Sequence, residues 1–326
     1  MRIAIDYTAA INQSGGIGRF VRDLVGALAE ADTADQYVLL HARPNPGREV
    51  TVPGGANFSM RSLPVPERWA TILWHRAHLH LPVEMFTGPV DLFHAPDFTL
   101  PPVRRARTLV TVHDLAFLLR PESAQEGLRL YLEQVVPRSI ARADYVLTDS
   151  ENTRNDVICL MDAAPERVFV IPGGVAPMFR PASEDAIENV CRARGIARPY
   201  ILSAGTIQPR KNYPTLIEAY DRLRTRTHLP HQLVIAGGRG WLTDATFERA
   251  GRSAFHDDIH FAGFVPDEEL IALYSGASVF AYPSYYEGSG LPIWEAMACG
   301  APVVCSNTSC LPECAGDAAL LVSPDD

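Results

Sequence analysis

Lysine is nearly absent from this chain: its 326 residues include 28 arginines and a single lysine, Lys211. No apolar run reaches the roughly 18 to 20 residues that a membrane span needs. The first sixteen residues place Asp6 and Asn12 inside their apolar stretch, which argues against a secretory leader. A cytoplasmic chain is therefore expected. Cysteine is sparse and unpaired in pattern, with no C-x-x-C among Cys159, Cys191, Cys299, Cys305, Cys310 and Cys314. The last three sit close together but fit no zinc-ligand spacing, so reduced and mostly buried thiols are expected, and no metal. Positive charge is also short. The formal net charge is −9, which excludes a general nucleic-acid binder, since that needs a basic face. Residues 1–180 hold 18 arginines against 20 acidic residues, and residues 181–326 hold 11 basic against 18 acidic. The acidity is thus concentrated in the second half, where any adjacent cations stand out. Two glycine clusters, Gly15-Gly-Ile-Gly18 and Gly237-Gly-Arg-Gly240, both miss the G-x-G-x-x-G spacing of a dinucleotide-binding dehydrogenase.

What is present is a recurrent alternation. Short, continuous apolar runs fall at 2–7, 37–41, 91–94, 108–112, 144–148 and 168–171, then at 200–204, 232–236, 259–262, 278–282, 301–305 and 319–322. Runs without polar alternation predict strands buried on both faces, and helix-like stretches between them predict parallel sheets. At roughly 150 residues per domain the length suggests two domains. Two sets of six strands fit an α/β chain of two doubly wound, Rossmann-like domains facing a cleft. Pro172-Gly-Gly174, Pro177 and Pro181 interrupt regular structure, and a polar helix near 183–194 follows. The domains are accordingly placed at 1–180 and 181–326.

Two motifs follow directly after strands of the second set. In Glu287-Gly-Ser-Gly-Leu-Pro-Ile-Trp-Glu295, Gly288 and Gly290 let backbone approach a ligand, Pro292 suits a first helical turn, and Gly300 marks the helix end. A glycine-rich loop feeding a helix offers free N–H groups to a phosphate. The competing reading is an ordinary strand–turn–helix with two solvated glutamates, and spacing alone does not decide. The second motif is Gly205-Thr-Ile-Gln-Pro-Arg210-Lys211-Asn212. Adjacent Arg and Lys at a helix entrance neutralise a diphosphate, the one as a fork and the other as a point charge. R-K-N is also a common surface turn, but two such signals in one domain support each other.

With these residues in place, the chain resembles a retaining glycosyltransferase of family 4, with the GT-B fold. The resemblance rests on Glu287 and Glu295 at E-x7-E, on Gly205 to Asn212, on Gly15-Gly16-Ile17-Gly18 and on Thr111-Val-His113-Asp114. It rests further on Asp149-Ser150-Glu-Asn-Thr153, Ile171-Pro-Gly-Gly-Val175 and Phe261-Ala-Gly-Phe-Val265. It runs nearly the whole chain and is nearest to bacterial mannosyltransferases of polysaccharide assembly. The resemblance implies a nucleotide-sugar donor, GDP-mannose first, and a saccharide or lipid-linked saccharide acceptor. Arg210 and Lys211 would hold the donor diphosphate, Glu295 the ribose hydroxyls, and Glu287 with Ser289, Gly290 and Leu291 the transferred sugar and phosphate. Val265 would meet the base through its backbone, and Gly15 and Gly16 would close on the phosphate from the first domain. His113 would touch the sugar near the reacting carbon; from residue type alone it reads as a satisfied core histidine. The chain has no D-x-D, the metal-binding triplet of many other sugar transferases, so no cofactor and no metal are expected. No enzymic nucleophile or base is assigned.

The acceptor belongs to the first domain. Residues 61–86 gather Arg68, Trp69, Trp74, His75, Arg76, His78 and His80 among aliphatics, and Arg104, Arg105 and Arg107 follow. Such a segment suits peripheral contact with the inner face of the cell membrane or a lipid diphosphate; a core helix with a solvated basic face is the plainer reading. Other readings stay open. A nucleotide-sugar epimerase of similar fold would consume donor without an acceptor. A phosphorylase of related fold is set aside, because its pyridoxal lysine has no candidate outside the phosphate motif. The sequence stops just after its last strand, where the family continues into a helix that returns to the first domain. A chain ending there would be a weak enzyme or a non-catalytic nucleotide-sugar-binding partner in an assembly complex.

Overall fold

Thirteen strands are formed among the described residues of the computed structural model, which are all but Ser14, Glu49, residues 51–54 and His78. The first seven are β1 (Arg2–Asp6), β2 (Gln36–Arg43), β3 (Phe58–Pro66), β4 (Leu92–Ala95), β5 (Arg107–Val112), β6 (Tyr145–Thr148) and β7 (Val168–Val170). They make one sheet in the order β3-β2-β1-β4-β5-β6-β7. The other six are β8 (Tyr200–Ala204), β9 (Gln232–Ala236), β10 (Ile259–Gly263), β11 (Val279–Tyr282), β12 (Val303–Ser306) and β13 (Ala319–Val322), ordered β10-β9-β8-β11-β12-β13. Every pairing is parallel. Both sheets therefore reverse their winding between the first and fourth strands, the doubly wound order expected from the sequence, and each has a ligand-binding switch point there.

The continuous apolar runs predict twelve of the thirteen strands. The exception is β3, whose sequence Phe-Ser-Met-Arg-Ser-Leu-Pro-Val-Pro alternates and carries two prolines. That composition is tolerated because β3 is an edge strand with one hydrogen-bonded side free of a partner strand. The central strands bury Leu39, Phe93, Val110 and Val146 in one sheet and Leu202, Val234 and Phe280 in the other. The polar helix near 183 runs from Glu184 to Arg194. Ser183 Oγ accepts from the N–H of Ala186 at its start, and Gly195 takes φ +66° at its end.

The chain divides into two compact units, Met1–Leu115 with Leu130–Pro172, and Ala116–Arg129 with Gly173–Asp326. The division thus lies between Pro172 and Gly173 rather than near 180, and the segment 116–129 goes with the second unit. Packing explains both shifts. A side chain at Gly173 would meet Leu291, and Phe179 is buried in the second core. From the 116–129 segment, Arg120 lies over the Tyr285 ring at 5.1 Å, and Ser123 accepts the Trp241 indole N–H at 2.7 Å. Among the described residues, no helix is long and apolar enough to cross a membrane.

In the first unit the helix Gly16–Ala31 starts against the preceding loop so closely that a Cβ at Gly18 would stand 2.0 Å from the Gln13 carbonyl oxygen. Gly26, in the same helix, has open space around it. Gly18→Ala is expected to lower the unfolding midpoint of the first unit, since backbone must move. Gly26→Ala should raise stability by roughly 0.5–1 kcal/mol through helix propensity. Thermal unfolding of both variants checks the pair.

Candidate active site

The carboxyl ends of β8 and β11, at the second switch point, bring the two sequence motifs together. After β8 the loop turns at Gly205, where φ is +141° and a Cβ would press on Lys211 Cε at 3.2 Å. The turn Pro209–Lys211 then delivers Arg210 and Lys211, and Asn212 takes φ +56° to begin the helix Tyr213–Thr227. Asparagine tolerates that left-handed conformation, which accounts for its place after the cations. Its amide also donates to the Pro324 carbonyl at 2.8 Å. The loop after β9 braces this turn. Gly237 comes so near Gly205 that a Cβ would lie 1.9 Å from the Gly205 oxygen, and Ile207 exchanges backbone hydrogen bonds with Gly238 and Gly240. In the sequence this glycine cluster shows only a failed dinucleotide motif; its close approach is legible in the structure alone.

Glu287 is the meeting point. Arg210 Nη1 donates to its Oε2 at 2.6 Å and Lys211 Nζ to its Oε1 at 2.7 Å, and the Ser284 hydroxyl donates to the same Oε1. Arg210 also donates to the Tyr286 carbonyl at 2.7 Å. Lys211 donates to the Tyr282 hydroxyl and lies 4.7 Å from that ring's centroid. The Glu287 N–H in turn donates to Ser309 Oγ at 2.9 Å. Glu287 is 5% exposed and Lys211 8%, so these charges are held out of water. Burial would raise the Glu287 carboxyl; the charges of Arg210 and Lys211, with the Lys211 and Ser284 hydrogen bonds, outweigh it and hold the group at about 2. The same burial, with the Glu287 charge, pushes the Tyr282 phenol well up. Tyr282, Ser284 and Ser309 carry no motif signal and were not anticipated.

From Glu287 the chain enters the helix Leu291–Ala298. Gly290 caps it and can only be glycine, since a Cβ would stand 2.5 Å from that of Cys314. Ser289 and Leu291 remain half-buried beside that start. Glu295, one turn in, is 4% exposed and accepts from the Tyr274 hydroxyl at 3.2 Å. Neither glutamate is a solvated surface group, which removes the plainer reading of this motif. Val265 is buried just past β10, beside an exposed Phe264. The cysteines under this loop are free thiols, with Cys305, Cys310 and Cys314 all buried. No group of His, Cys, Asp or Glu among the described residues is arranged to hold a metal ion.

The remaining predicted residues lie in the first unit. Gly15 and Gly16 form the exposed start of the helix Gly16–Ala31, with no atom within 4 Å of either added Cβ. His113 is at the end of β5, packed edge-on against Phe20 and Phe98. Its Nδ1 donates to Asp149 Oδ2 and its Nε2 to the Pro96 carbonyl, each at 2.8 Å. Both partners only accept, so both ring nitrogens carry protons. Burial would lower its pKa; the charge and hydrogen bond of Asp149, aided by Asp97 and Pro96, raise it to about 9. Neighbouring His94 is driven the other way, to about 3, by burial and by the His113 charge. His113 is thus a fixed cation with both nitrogens committed. Its partner Asp149 stood in a motif without an assigned role, although both residues end adjacent strands.

The segment 61–86 is not one helix. It comprises the end of β3, the helix Glu67–Thr71, a stretch of π-helix Ile72–Arg76 and the short helix Glu84–Thr87. Trp69 is 47% exposed beside Arg68, whereas the Trp74 indole N–H is bonded to the Leu81 carbonyl. His78 lies outside the described residues. Arg104 and Arg105 use their backbone N–H groups on Glu84, and Arg107 pairs with Asp144.

Comparison with known proteins bears on the whole chain. The family description "Glycosyltransferase Family 4" matches residues 14–178, and "Glycosyl transferases group 1" matches residues 193–326. The chain is 34% identical over 320 residues to O-antigen chain mannosyltransferase B of Escherichia coli, covering 95% of this chain and 84% of that protein. It is 32% identical over 230 residues to the serotype-specific mannosyltransferase WbdA of the same organism, covering 68% of this chain but only 28% of that larger protein. Among solved structures it resembles a sucrose-phosphate synthase from Thermosynechococcus elongatus, with a TM-score of 0.73 at 22% identity, covering 100% of this chain and 86% of that one. WaaG, a glycosyltransferase involved in lipopolysaccharide biosynthesis, gives 0.71 at 17% identity, covering 99% and 86%. These structural likenesses establish the GT-B fold.

The Glu287 cluster sets an acid limit on stability. An ordinary glutamate titrates near 4.5. Its folded value is depressed, so the contribution is complete above that pH and is lost as pH falls towards about 2. At roughly 1.4 kcal/mol per unit, this is on the order of 3 kcal/mol. Glu287→Gln should be less stable at neutral pH, because buried Lys211 and half-buried Arg210 lose their partner, and its stability should change less on acidification. Denaturant unfolding at several pH values checks this; equal acid sensitivity in both proteins contradicts it.

Proposed function

Because the chain belongs to glycosyltransferase family 4, we propose that it is a retaining hexosyltransferase that moves mannose from GDP-mannose to a saccharide or lipid-linked saccharide acceptor in cell-surface polysaccharide synthesis. The observation that carries the reading is the pairing of Arg210 and Lys211 on one buried carboxylate at the second switch point. Glycosyl transfer passes through an oxocarbenium-like state while negative charge builds on the departing diphosphate. Two cations in a desolvated site favour that state over the ground state and so lower the barrier. They supply the charge compensation for which other sugar transferases recruit a divalent metal, and the proposed activity is metal-independent.

The donor would lie along the β8 and β11 loops. Arg210 and Lys211 bind its diphosphate, assisted by the N–H groups at Ser289, Gly290 and Leu291. Glu287 orients those cations and accepts from hydroxyls of the transferred sugar, Glu295 takes the ribose, and Val265 offers backbone to the base. Gly205 gives the cation loop its turn. In the first unit, Gly15 and Gly16 leave the start of their helix open, as a phosphate contact requires, and His113 contributes a fixed positive charge. Two relatives named as mannosyltransferases, one of them of the O-antigen chain, support mannose as the transferred sugar and a saccharide as the acceptor. A cytoplasmic location, with peripheral contact at the membrane through the exposed Trp69 and Arg68, agrees with the absence of a spanning helix among the described residues.

Calorimetric titration of the chain with GDP, UDP and ADP in EDTA tests the donor assignment. Micromolar binding of GDP is expected, weakened roughly a hundredfold or more in Arg210→Ala/Lys211→Ala, since each charged hydrogen bond contributes about 1.5–3 kcal/mol. Preference for another base reassigns the donor, and turnover lost in EDTA but restored by Mg²⁺ contradicts metal independence. Failure to sediment with anionic vesicles at low salt removes the membrane contact.

A further inference from the structure

Phe98 holds a left-handed backbone, φ +56°, which a bulky side chain adopts only under strain. Such strain persists where the surroundings impose it, and it gathers at functional sites. The neighbour here is His113. Phe98 packs edge-on against the imidazole at 5.5 Å, and the Pro96 carbonyl, two residues earlier, accepts from Nε2 at 2.8 Å. Phe20, from the helix Gly16–Ala31, adds a second edge-on contact at 4.9 Å. The strained turn is thus folded around one buried ring.

Asp149, just past β6, holds the ring from the other nitrogen. Its Oδ2 accepts from His113 Nδ1 at 2.8 Å, and among the described residues no donor reaches its buried Oδ1. Ser150, the next residue, caps the helix Glu151–Met161 by accepting the Thr153 N–H at 3.1 Å. A helix start favours the Asp149 charge. From the same turn, Thr153 Oγ1 donates to the His113 carbonyl at 3.4 Å, so main chain and side chain are both gripped. Both ring nitrogens face groups that only accept, and a neutral imidazole would set a lone pair against one of them. Two further titratable neighbours act on the ring. Asp97, past β4, lines a small cavity with Asp6 and Glu67 and adds negative charge. His94, on β4, is bonded to Thr111 Oγ1 at 2.8 Å and kept neutral by burial. Burial opposes the His113 charge; Asp149 first, then Asp97 and the Pro96 carbonyl, outweigh it. A buried ion pair adds little stability over apolar packing, and a strongly held charge of this kind is characteristic of functional sites.

We propose that Asp149 is a positioning residue for sugar transfer: it fixes the His113 ring and keeps it an imidazolium, so that His113 serves as a permanent N–H donor and not as a proton carrier. The proposal rests on the transferase reading above and adds to it the residue that sets the protonation state of His113. Nδ1–H stays with Asp149. Nε2–H meets a neutral carbonyl, the weaker partner, and a ligand oxygen can take over that bond without turning the ring.

Nitrogen NMR of the histidine rings, with His113→Gln to assign the signal, is combined with turnover on the full chain and on Asp149→Asn, which keeps the shape and removes the charge. In the wild type both His113 nitrogens should stay protonated from about pH 6 to 8, and the kcat profile should show no step from this residue. In Asp149→Asn burial outweighs what Asp97 alone supplies, and His113 should lose its proton within or below that range. GDP release from GDP-mannose, with an α-linked mannose disaccharide as acceptor, should then fall about tenfold or more in kcat at the upper end and recover towards the lower, with KM for the donor within about twofold. Asp149→Glu, which returns a carboxylate, should regain the flat profile. A wild-type His113 that titrates as an ordinary histidine overturns the proposal, and that arm needs no variant to fold. An Asp149→Asn protein with unchanged His113 protonation or an unchanged pH profile overturns it too. A wild type that binds GDP and keeps His113 charged yet transfers no sugar refutes the transferase reading, while the NMR arm still decides what Asp149 does to His113.

Discussion

Three charges packed together, buried Glu287 and Lys211 with half-buried Arg210, set the terms for the second unit. Taking an ammonium, a guanidinium and a carboxylate out of water is unfavourable unless each finds close partners. Here Arg210 and Lys211 reach opposite oxygens of one carboxylate, and Ser284 and Tyr282 complete the network. The arrangement joins the loop after β8 to the loop after β11, so the cations cannot drift to solvent. Two cations thus share this one carboxylate, and the proposed diphosphate is the anion they would meet. Low dielectric strengthens the attraction for that anion as it does the internal pairs.

The backbone prepares this network before any side chain acts. Gly237 and Gly205 touch main chain to main chain, Gly240 closes on Ile207, and Asn212 accepts a left-handed φ so that the helix can begin directly after Lys211. Similar logic holds in the first unit, where Gly18 lets a helix start against Gln13. There His113 and His94 sit at adjacent strand ends with opposite protonation, one stabilised by Asp149 and the other stripped of charge by burial. A single fold plan, a parallel sheet with its switch point exposed, thus produces a cation cluster in one unit and a carboxylate-lined cavity in the other.

Much of this is legible in the sequence because it depends on local pattern. Unbroken apolar runs mark twelve strands, and Glu287, Glu295, Arg210 and Lys211 stand out by spacing after strands. What escapes is decided by position in three dimensions. An edge location lets β3 form from an alternating, proline-containing run. Gly237-Gly-Arg-Gly240 is a brace, which only its distance from Gly205 reveals. Asp149 lies 36 residues from His113, and Ser309 lies 22 from Glu287, separations at which no periodicity operates. The unit boundary moves from 180 to 172 because Gly173 and Phe179 pack on the second core. The Arg- and Trp-rich segment after β3 divides its residues between surface and cavity, as no composition could foretell.

The central claim is that the Glu287 cluster is the diphosphate cradle. A crystal structure of the chain with GDP bound tests it most directly. The account predicts diphosphate oxygens within hydrogen-bonding distance of both Arg210 and Lys211, with Glu287 still in contact with at least one of them. GDP seated away from these two side chains, with their pairing to Glu287 unchanged, would contradict it.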